Sequence, residues 1–177
     1  VARFGRSQNL VSRQDPVGEI ARLVEESVRG GALLRLDPWS RLLDIGSGAG
    51  FPGIVLAALF PERRVVLAER RRGRCDFLER CAARLGLSEV EVWARDARRL
   101  DGESFDRISG KAVAEPQEFL GWCGRWLTRD GRVLLFQREG WNPPAGWREE
   151  HAVLSLRDSA RGDRAAFLLC ADPGRDR

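Results

Sequence analysis

At 177 residues, 43% hydrophobic and 32% charged, the chain has the size and apolar content of one domain with a buried core, which excludes general disorder. No apolar run reaches the roughly 18 residues of a membrane span and no basic-then-apolar signal opens the chain, so it reads as soluble, intracellular and cytoplasmic. Thirty basic side chains against 26 acidic ones give a net charge of +4, compatible with a polyanionic partner.

The first predicted element is a helix over 16–29, with Val17, Ile20, Ala21, Val24 and Val28 on one face. Asp15 is placed to cap it and Pro16 to occupy its first turn. A short apolar strand over 42–45 runs into glycines, a helix over 53–60 follows, and Pro61 ends it. Residues 64–69 read as the second strand. Cys75, Phe77, Leu78, Cys81, Ala82 and Leu85 then recur at helical spacing, and Gly86 closes that helix.

Residues 90–94 and 105–109 read as strands three and four, and a helix opened by Pro116 carries Phe119, Leu120, Cys123, Trp126 and Leu127. Strand five is expected over 131–137, and 141–147 as a Pro/Gly-rich loop. Two closing strands are expected at 153–156 and 166–170. Alternating strands and helices imply a doubly wound, mostly parallel sheet in an α/β domain. The last two strands lack an intervening helix and imply an antiparallel edge hairpin. The whole chain, 1–177, reads as one domain, with a helical N-terminal segment over 1–38 and a Rossmann-like core over 39–177.

All but one of the basic residues are arginine, the exception being Lys111, a bias that points to genome composition before phosphate binding. Methionine is absent even at position 1, so the expectation is that the first residues are missing or processed. Cys75, Cys81, Cys123 and Cys170 form no CxxC pair, and His151 lies far from them in sequence, so no metal site is expected. The cysteines read as small apolar residues on helix faces or in a strand.

The strongest local signal is the stretch DIGSGAGFPG at 44–53, between a strand and a helix. Glycines there let the backbone turn sharply and approach a ligand, and the following helix offers unpaired N–H groups. A loop of this kind at the carboxyl end of the first strand is where doubly wound sheets bind nucleotides. Two cofactors fit. Residues 48–53 match GxGxxG with Glu69 beyond, a dinucleotide fingerprint. The stretch also fits the D-x-G-x-G-x-G loop of enzymes using S-adenosylmethionine, made of Asp44, Gly46, Ser47, Gly48 and Gly50. In that case Asp44 is expected to hold the amino-acid end, Glu69 the ribose hydroxyls, and Asp96 the adenine amino group.

The residues GSGAGFPG at 46–53, Phe77-Leu78, the Leu-Gly-Leu at 85–87, Phe105-Asp106 and Lys-Ala-Val-Ala at 111–114 resemble the RsmG (GidB) family. Asn9-Leu10 and Asp15-Pro16 resemble the family's "NLT…DP" segment. The resemblance implies a class I S-adenosylmethionine-dependent methyltransferase acting on a guanine N7 of 16S ribosomal RNA, free or in the small ribosomal subunit, as a monomer. It implies that Gly46 and Phe51 contact the cofactor and that Ala97 and Arg98 lie beside its adenosine. Lys111 stands where the family usually has arginine and is a candidate for positioning substrate or cofactor. Arg98 replaces an acid, Leu23 stands where a histidine is common before the pair Glu26-Ser27, and the family's extra N-terminal helical segment is not expected here.

Arg70, Arg71, Arg72 and Arg74 open a helix, where cations oppose the helix dipole. They read either as a solvated face or as contacts to RNA phosphates, which would offset that cost. Trp122 and Trp126 are expected in the core, whereas Trp141 and Trp147 could equally stack on a splayed base. Guanine N7 carries a free in-plane lone pair, so methylation there needs alignment and no general base. That agrees with a sequence lacking an evident acid–base pair.

Overall fold

The computed structural model describes residues 15–99, 101–156 and 162–171. In chain order the elements are α1 (Pro16–Ala32), a 3-10 turn (Leu33–Arg35), β1 (Arg41–Ile45), α2 (Gly53–Leu59), β2 (Arg64–Ala68), α3 (Arg72–Leu85), β3 (Val90–Trp93), a 3-10 turn (Ala97–Arg99), β4 (Phe105–Gly110), α4 (Pro116–Cys123), β5 (Leu127–Arg138), β6 (Trp147–Leu156) and β7 (Arg164–Ala171). The seven strands form one sheet in the order β3-β2-β1-β4-β5-β7-β6. The first five are parallel, and β7 is antiparallel to both β5 and β6. This is the doubly wound sheet with an antiparallel edge expected from the alternation of elements. No described helix is long and apolar enough to cross a membrane.

Both faces of the sheet are covered, because strands β1 and β2 bury apolar side chains on both sides. Leu43, Ile45, Val66 and Ile108 pack on one face with Phe119, Leu120, Cys123 and Trp126 of the α4 region. On the other face Leu42, Val65, Leu67, Leu134 and Phe136 pack with Leu56 and Ala57 of α2 and Phe77 and Leu78 of α3. Each layer removes a full set of aliphatic side chains from water, at roughly 1.5–3 kcal/mol per buried side chain.

Helix α1 begins as the sequence suggests: Asp15 Oδ1 accepts a hydrogen bond from the Gly18 N–H at 2.9 Å and Pro16 fills the first turn. The face it buries is another one. Val17, Val24 and Val28 are exposed, and the buried residues are Glu26, Ser27, Gly30 and Gly31. Close approach is the physical reason. A Cβ on Gly30 would lie 2.6 Å from the Phe136 ring, and one on Gly31 2.9 Å from Leu56 and Leu59, so small residues and not valines face the sheet.

Three further readings are corrected. Strand β5 starts at Leu127 and not at 131, so the Asp130–Gly131 step lies inside the strand. The loop expected over 141–147 ends one residue earlier: Trp147 opens β6, pairs with Ala171 and is buried, which removes it from any stacking role. Trp122 is only half-buried, packed beside the core that Trp126 enters fully.

Candidate cofactor and substrate site

The carboxyl ends of the parallel strands converge on one cavity of about 470 Å³, lined by Ile45 and Gly46 after β1, Ala68 to Arg71 and Arg74 after β2, Arg95 to Arg98 after β3, Ala112 to Ala114 after β4, and Glu118 and Trp122 of α4. This is the place where open α/β sheets take ligands. Its lining carries five arginines and three acids, so it is net positive.

The glycine loop is set by register. Beyond β1 the chain steps across to β2: the N–H groups of Gly46 and Ser47 both donate to the Ala68 carbonyl, at 2.8 and 3.2 Å. Gly46 has φ +68°, and a Cβ there would lie 3.0 Å from a Val113 methyl. Only glycine satisfies both the left-handed backbone and that contact without strain. Gly48 does not line the cavity, but its N–H donates to Glu69 Oε2 at 3.2 Å, and the Arg71 N–H donates to Glu69 Oε1 at 2.9 Å. The Glu69 carboxylate is thus fixed at the end of β2 by two backbone donors, with the Arg74 guanidinium 3.7 Å away. Glu69 therefore offsets the cationic start of α3 from within the chain, at least for Arg74.

Asp44 sits elsewhere than its sequence pattern suggests. It is fully buried under the loop, and its Oδ1 accepts from the Ser109 hydroxyl at 2.7 Å, Ser109 being its neighbour on β4. Its other oxygen faces Gly53, where a Cβ would come within 2.5 Å. Burial pushes its carboxyl up to about 6, against the Ser109 hydroxyl and the Gly53 N–H, which favour the anion. Asp44 braces the underside of the loop and does not line the cavity.

Ser47, Gly50 and Phe51 also lie outside the lining. Ser47 is buried and its hydroxyl donates back to the Asp44 carbonyl at 2.9 Å. Asp96, Ala97 and Arg98 are brought together at the cavity, and Arg98 holds the Asp96 carboxylate at about 2, well below the usual range. Lys111 is directed away. Its ammonium is paired with buried Glu26 on α1 and lies 5.9 Å from the Phe136 ring, in the layer under α1. Desolvation lowers its pKa, and Glu26 opposes that shift.

Arg70, Arg71 and Arg74 line the cavity and Arg72 does not. Sequence reasoning gave no site role to Arg95, Ala112 to Ala114 or Glu118, and it assigned Trp122 to the core. The signal for the first four lay in their positions just past β3 and β4, on the binding edge of the sheet.

The strand order and the glycine loop over a carboxyl-end cavity define the class: the fold is the Rossmann-like fold of class I S-adenosylmethionine-dependent methyltransferases. A sequence model of the family described as GidB, rRNA small subunit methyltransferase G, matches residues 1–155, and the chain belongs to that family. It is 31% identical over 178 residues to a protein named ribosomal RNA small subunit methyltransferase G from Marinobacter nauticus, covering 94% of this chain and 79% of that one. A relative of the same name from Novosphingobium aromaticivorans is 37% identical over 133 residues, covering 72% of this chain and 58% of its own length. With a third, from Halorhodospira halophila, the match spans 64% of the relative.

Among solved structures, MtNAS in complex with MTA and tNA superposes with a TM-score of 0.69 at 22% identity, covering 97% of this chain and 70% of that one. An S-adenosylmethionine-dependent methyltransferase from Thiobacillus denitrificans, in complex with S-adenosyl-L-homocysteine, gives 0.67 at 15% identity over 84% of this chain and 91% of its own. At these identities the likeness is one of fold.

Proposed function

We propose that the protein transfers a methyl group from S-adenosylmethionine to N7 of a guanine in 16S ribosomal RNA, as one cytoplasmic domain acting as a monomer. The observation that carries the cofactor half is Glu69, a carboxylate fixed at the end of β2 by the Gly48 and Arg71 N–H groups beside a cavity that the bare backbone of Gly46 borders. A carboxylate so placed accepts hydrogen bonds from vicinal ribose hydroxyls. A cavity bordered by Gly46 with no Cβ admits the amino-acid half at van der Waals distance. The bound cofactor supplies an electrophilic methyl group. The chain's residues position it: Gly46 and Ala68 set the floor, Glu69 the ribose, and Ala97 and Arg98 the base.

The RNA half rests on family membership and on charge, since Arg70, Arg71, Arg95 and Arg98 are exposed residues of the cavity lining and match a polyanion in sign. The described residues offer no acid–base pair aimed into the cavity apart from Glu69, Glu118 and the arginine-bound Asp96. Attack by a free lone pair requires none. A target guanine is expected to be unpaired or extruded, because the RNA major groove that carries N7 is deep and narrow.

The test is methyl transfer from labelled cofactor onto small-subunit ribosomal RNA lacking its N7-methylguanine, followed by nucleoside analysis. Label in 7-methylguanosine, abolished by Gly46→Asp, is expected. Label in another nucleoside would keep the cofactor and refute the target.

A further inference from the structure

Past β3 the chain makes a tight turn in which Arg98 folds back on Asp96. The Arg98 backbone N–H donates to Asp96 Oδ1 at 3.0 Å. Its Nε reaches Oδ1 and Oδ2 at 3.0 and 3.1 Å, and its Nη2 reaches Oδ2 at 2.6 Å. The carboxylate therefore holds the guanidinium along its Nε–Nη2 edge and does not cover its flat faces. The guanidinium carbon lies over the Trp122 ring, 5.7 Å from its centroid. Trp122 is itself fixed edge-to-face on Phe119, with centroids 6.5 Å apart. Arg98, Asp96 and Trp122 all line the cavity.

An arginine tethered along its edge by a carboxylate is a flat cation, and flat cations stack on aromatic rings. We propose that Arg98 caps the adenine ring of the cofactor by face stacking, with Asp96 as the positioning residue that holds the cap and Trp122 as its backing. The inference rests on the cofactor reading above and deepens it. It also reassigns Asp96: with both oxygens engaged by Arg98, that carboxylate orients the cap and does not receive the adenine amino group. An acid at position 98 would leave Asp96 without this partner and could only read the nucleoside by hydrogen bonding. Arginine changes the recognition from the edge of the base to its face.

The experiment is calorimetric binding of S-adenosylhomocysteine and of its hypoxanthine counterpart, S-inosylhomocysteine, to the wild-type chain and to Arg98→Ala, Arg98→Lys and Asp96→Asn. Arg98 is exposed, so the variants fold, which their melting temperatures check. A stacked cap senses the ring and not the 6-substituent. Arg98→Ala is therefore expected to weaken both ligands by the same factor, about tenfold. Arg98→Lys, which keeps the charge but loses the plane, should recover less than half of that loss on a logarithmic scale. Asp96→Asn should weaken both ligands by a smaller common factor.

Unchanged or tighter binding of S-adenosylhomocysteine by Arg98→Ala would overturn the proposal, because it would mean that Arg98 merely occupies Asp96. A loss confined to the adenine ligand would overturn it too. Binding of neither ligand by the wild-type chain would instead refute the cofactor reading, and this inference with it.

Discussion

The Lys111 ammonium is bound to the Glu26 carboxylate of α1, drawn away from the cavity that its own neighbours Ala112 and Val113 line. The chain turns between the two environments at Ala112, the one described non-glycine residue with positive φ, +54°. Arg164 reaches the same carboxylate, Nε to Oε1 at 3.6 Å. One buried carboxylate thus joins α1, the end of β4 and the start of β7, and this joint sets the side of the sheet on which Lys111 lies.

Breaking that joint from either side takes a partner from a charge in a poorly solvated place. Removing one member of a buried pair costs about 3–5 kcal/mol. Since Lys111 keeps some solvent contact, Glu26→Gln and Lys111→Met are each expected to lower the urea-unfolding free energy by about 2–4 kcal/mol. The double variant Glu26→Leu with Lys111→Met should regain much of that loss, because it removes both buried charges and leaves only the partly exposed Arg164. Single variants within about 0.5 kcal/mol of wild type, the scale of an ordinary surface substitution, would show the pair to be effectively solvated.

Asp44 makes stability depend on pH in the unusual direction for a carboxylate. Its folded pKa is raised from 3.8 to about 6, so the folded protein holds a proton that the unfolded chain has released. The stability linked to this group is fully present below about pH 4 and is lost as pH rises through about 6. At about 1.4 kcal/mol per pH unit, the full loss is about 3 kcal/mol. Asp44→Asn removes the titration. Relative to wild type the variant should therefore gain about 3 kcal/mol between pH 4 and pH 7.5 in denaturant titrations. A difference that stays flat with pH would mean that Asp44 ionises normally.

Gly53 sits where the loop becomes α2. A Cβ there would lie 2.4 Å from Leu67 and 2.5 Å from Asp44 Oδ2, both buried groups that cannot swing aside. Overpacking of this kind typically costs 1–3 kcal/mol. Gly53→Ala is expected to lose about 2–3 kcal/mol and, by lifting the loop from β2, to weaken S-adenosylhomocysteine binding as well. Binding of normal strength in a destabilised variant would separate the brace beneath the loop from the cavity above it.

The sheet was legible in the sequence because strands buried on both faces must be continuously apolar, as at Leu42-Leu43 and Val65 to Ala68, and because glycines and prolines punctuate them. The loop and Glu69 were legible because strand ends dictate where backbone and carboxylate can meet. Other features depend on partners remote in sequence. Helical periodicity identified a valine stripe on α1, but the shape of Phe136 and Leu56 decides that Gly30 and Gly31 turn inward. Asp44 matched a binding pattern, yet its register beside Ser109 buries it. Trp147 followed two prolines and read as loop, although pairing across to Ala171 makes it the first residue of β6. Lys111 could be placed at the end of β4, but its direction required knowledge of Glu26, 85 residues away.

The arginines that open α3 divide by surroundings, and the division predicts which of them meet RNA. The Arg72 side chain is 88% exposed, with the Asp76 carboxylate 3.9 Å away. The Arg74 side chain is 22% exposed and held inward at 3.7 Å from the buried Glu69. A cation turned to solvent can displace counterions from a phosphate, and a cation committed to a buried carboxylate cannot. Arg72→Ala should therefore reduce the slope of log affinity against log salt for small-subunit ribosomal RNA by about 1, with S-adenosylhomocysteine binding unchanged. Arg74→Ala should leave that slope as it is and cost about 1–2 kcal/mol of stability, because Glu69 then stays buried without its cation. If Arg74→Ala lowers the slope instead, the side chain must leave Glu69 when RNA binds, and occupancy of the cofactor cavity would then be coupled to RNA through that one guanidinium.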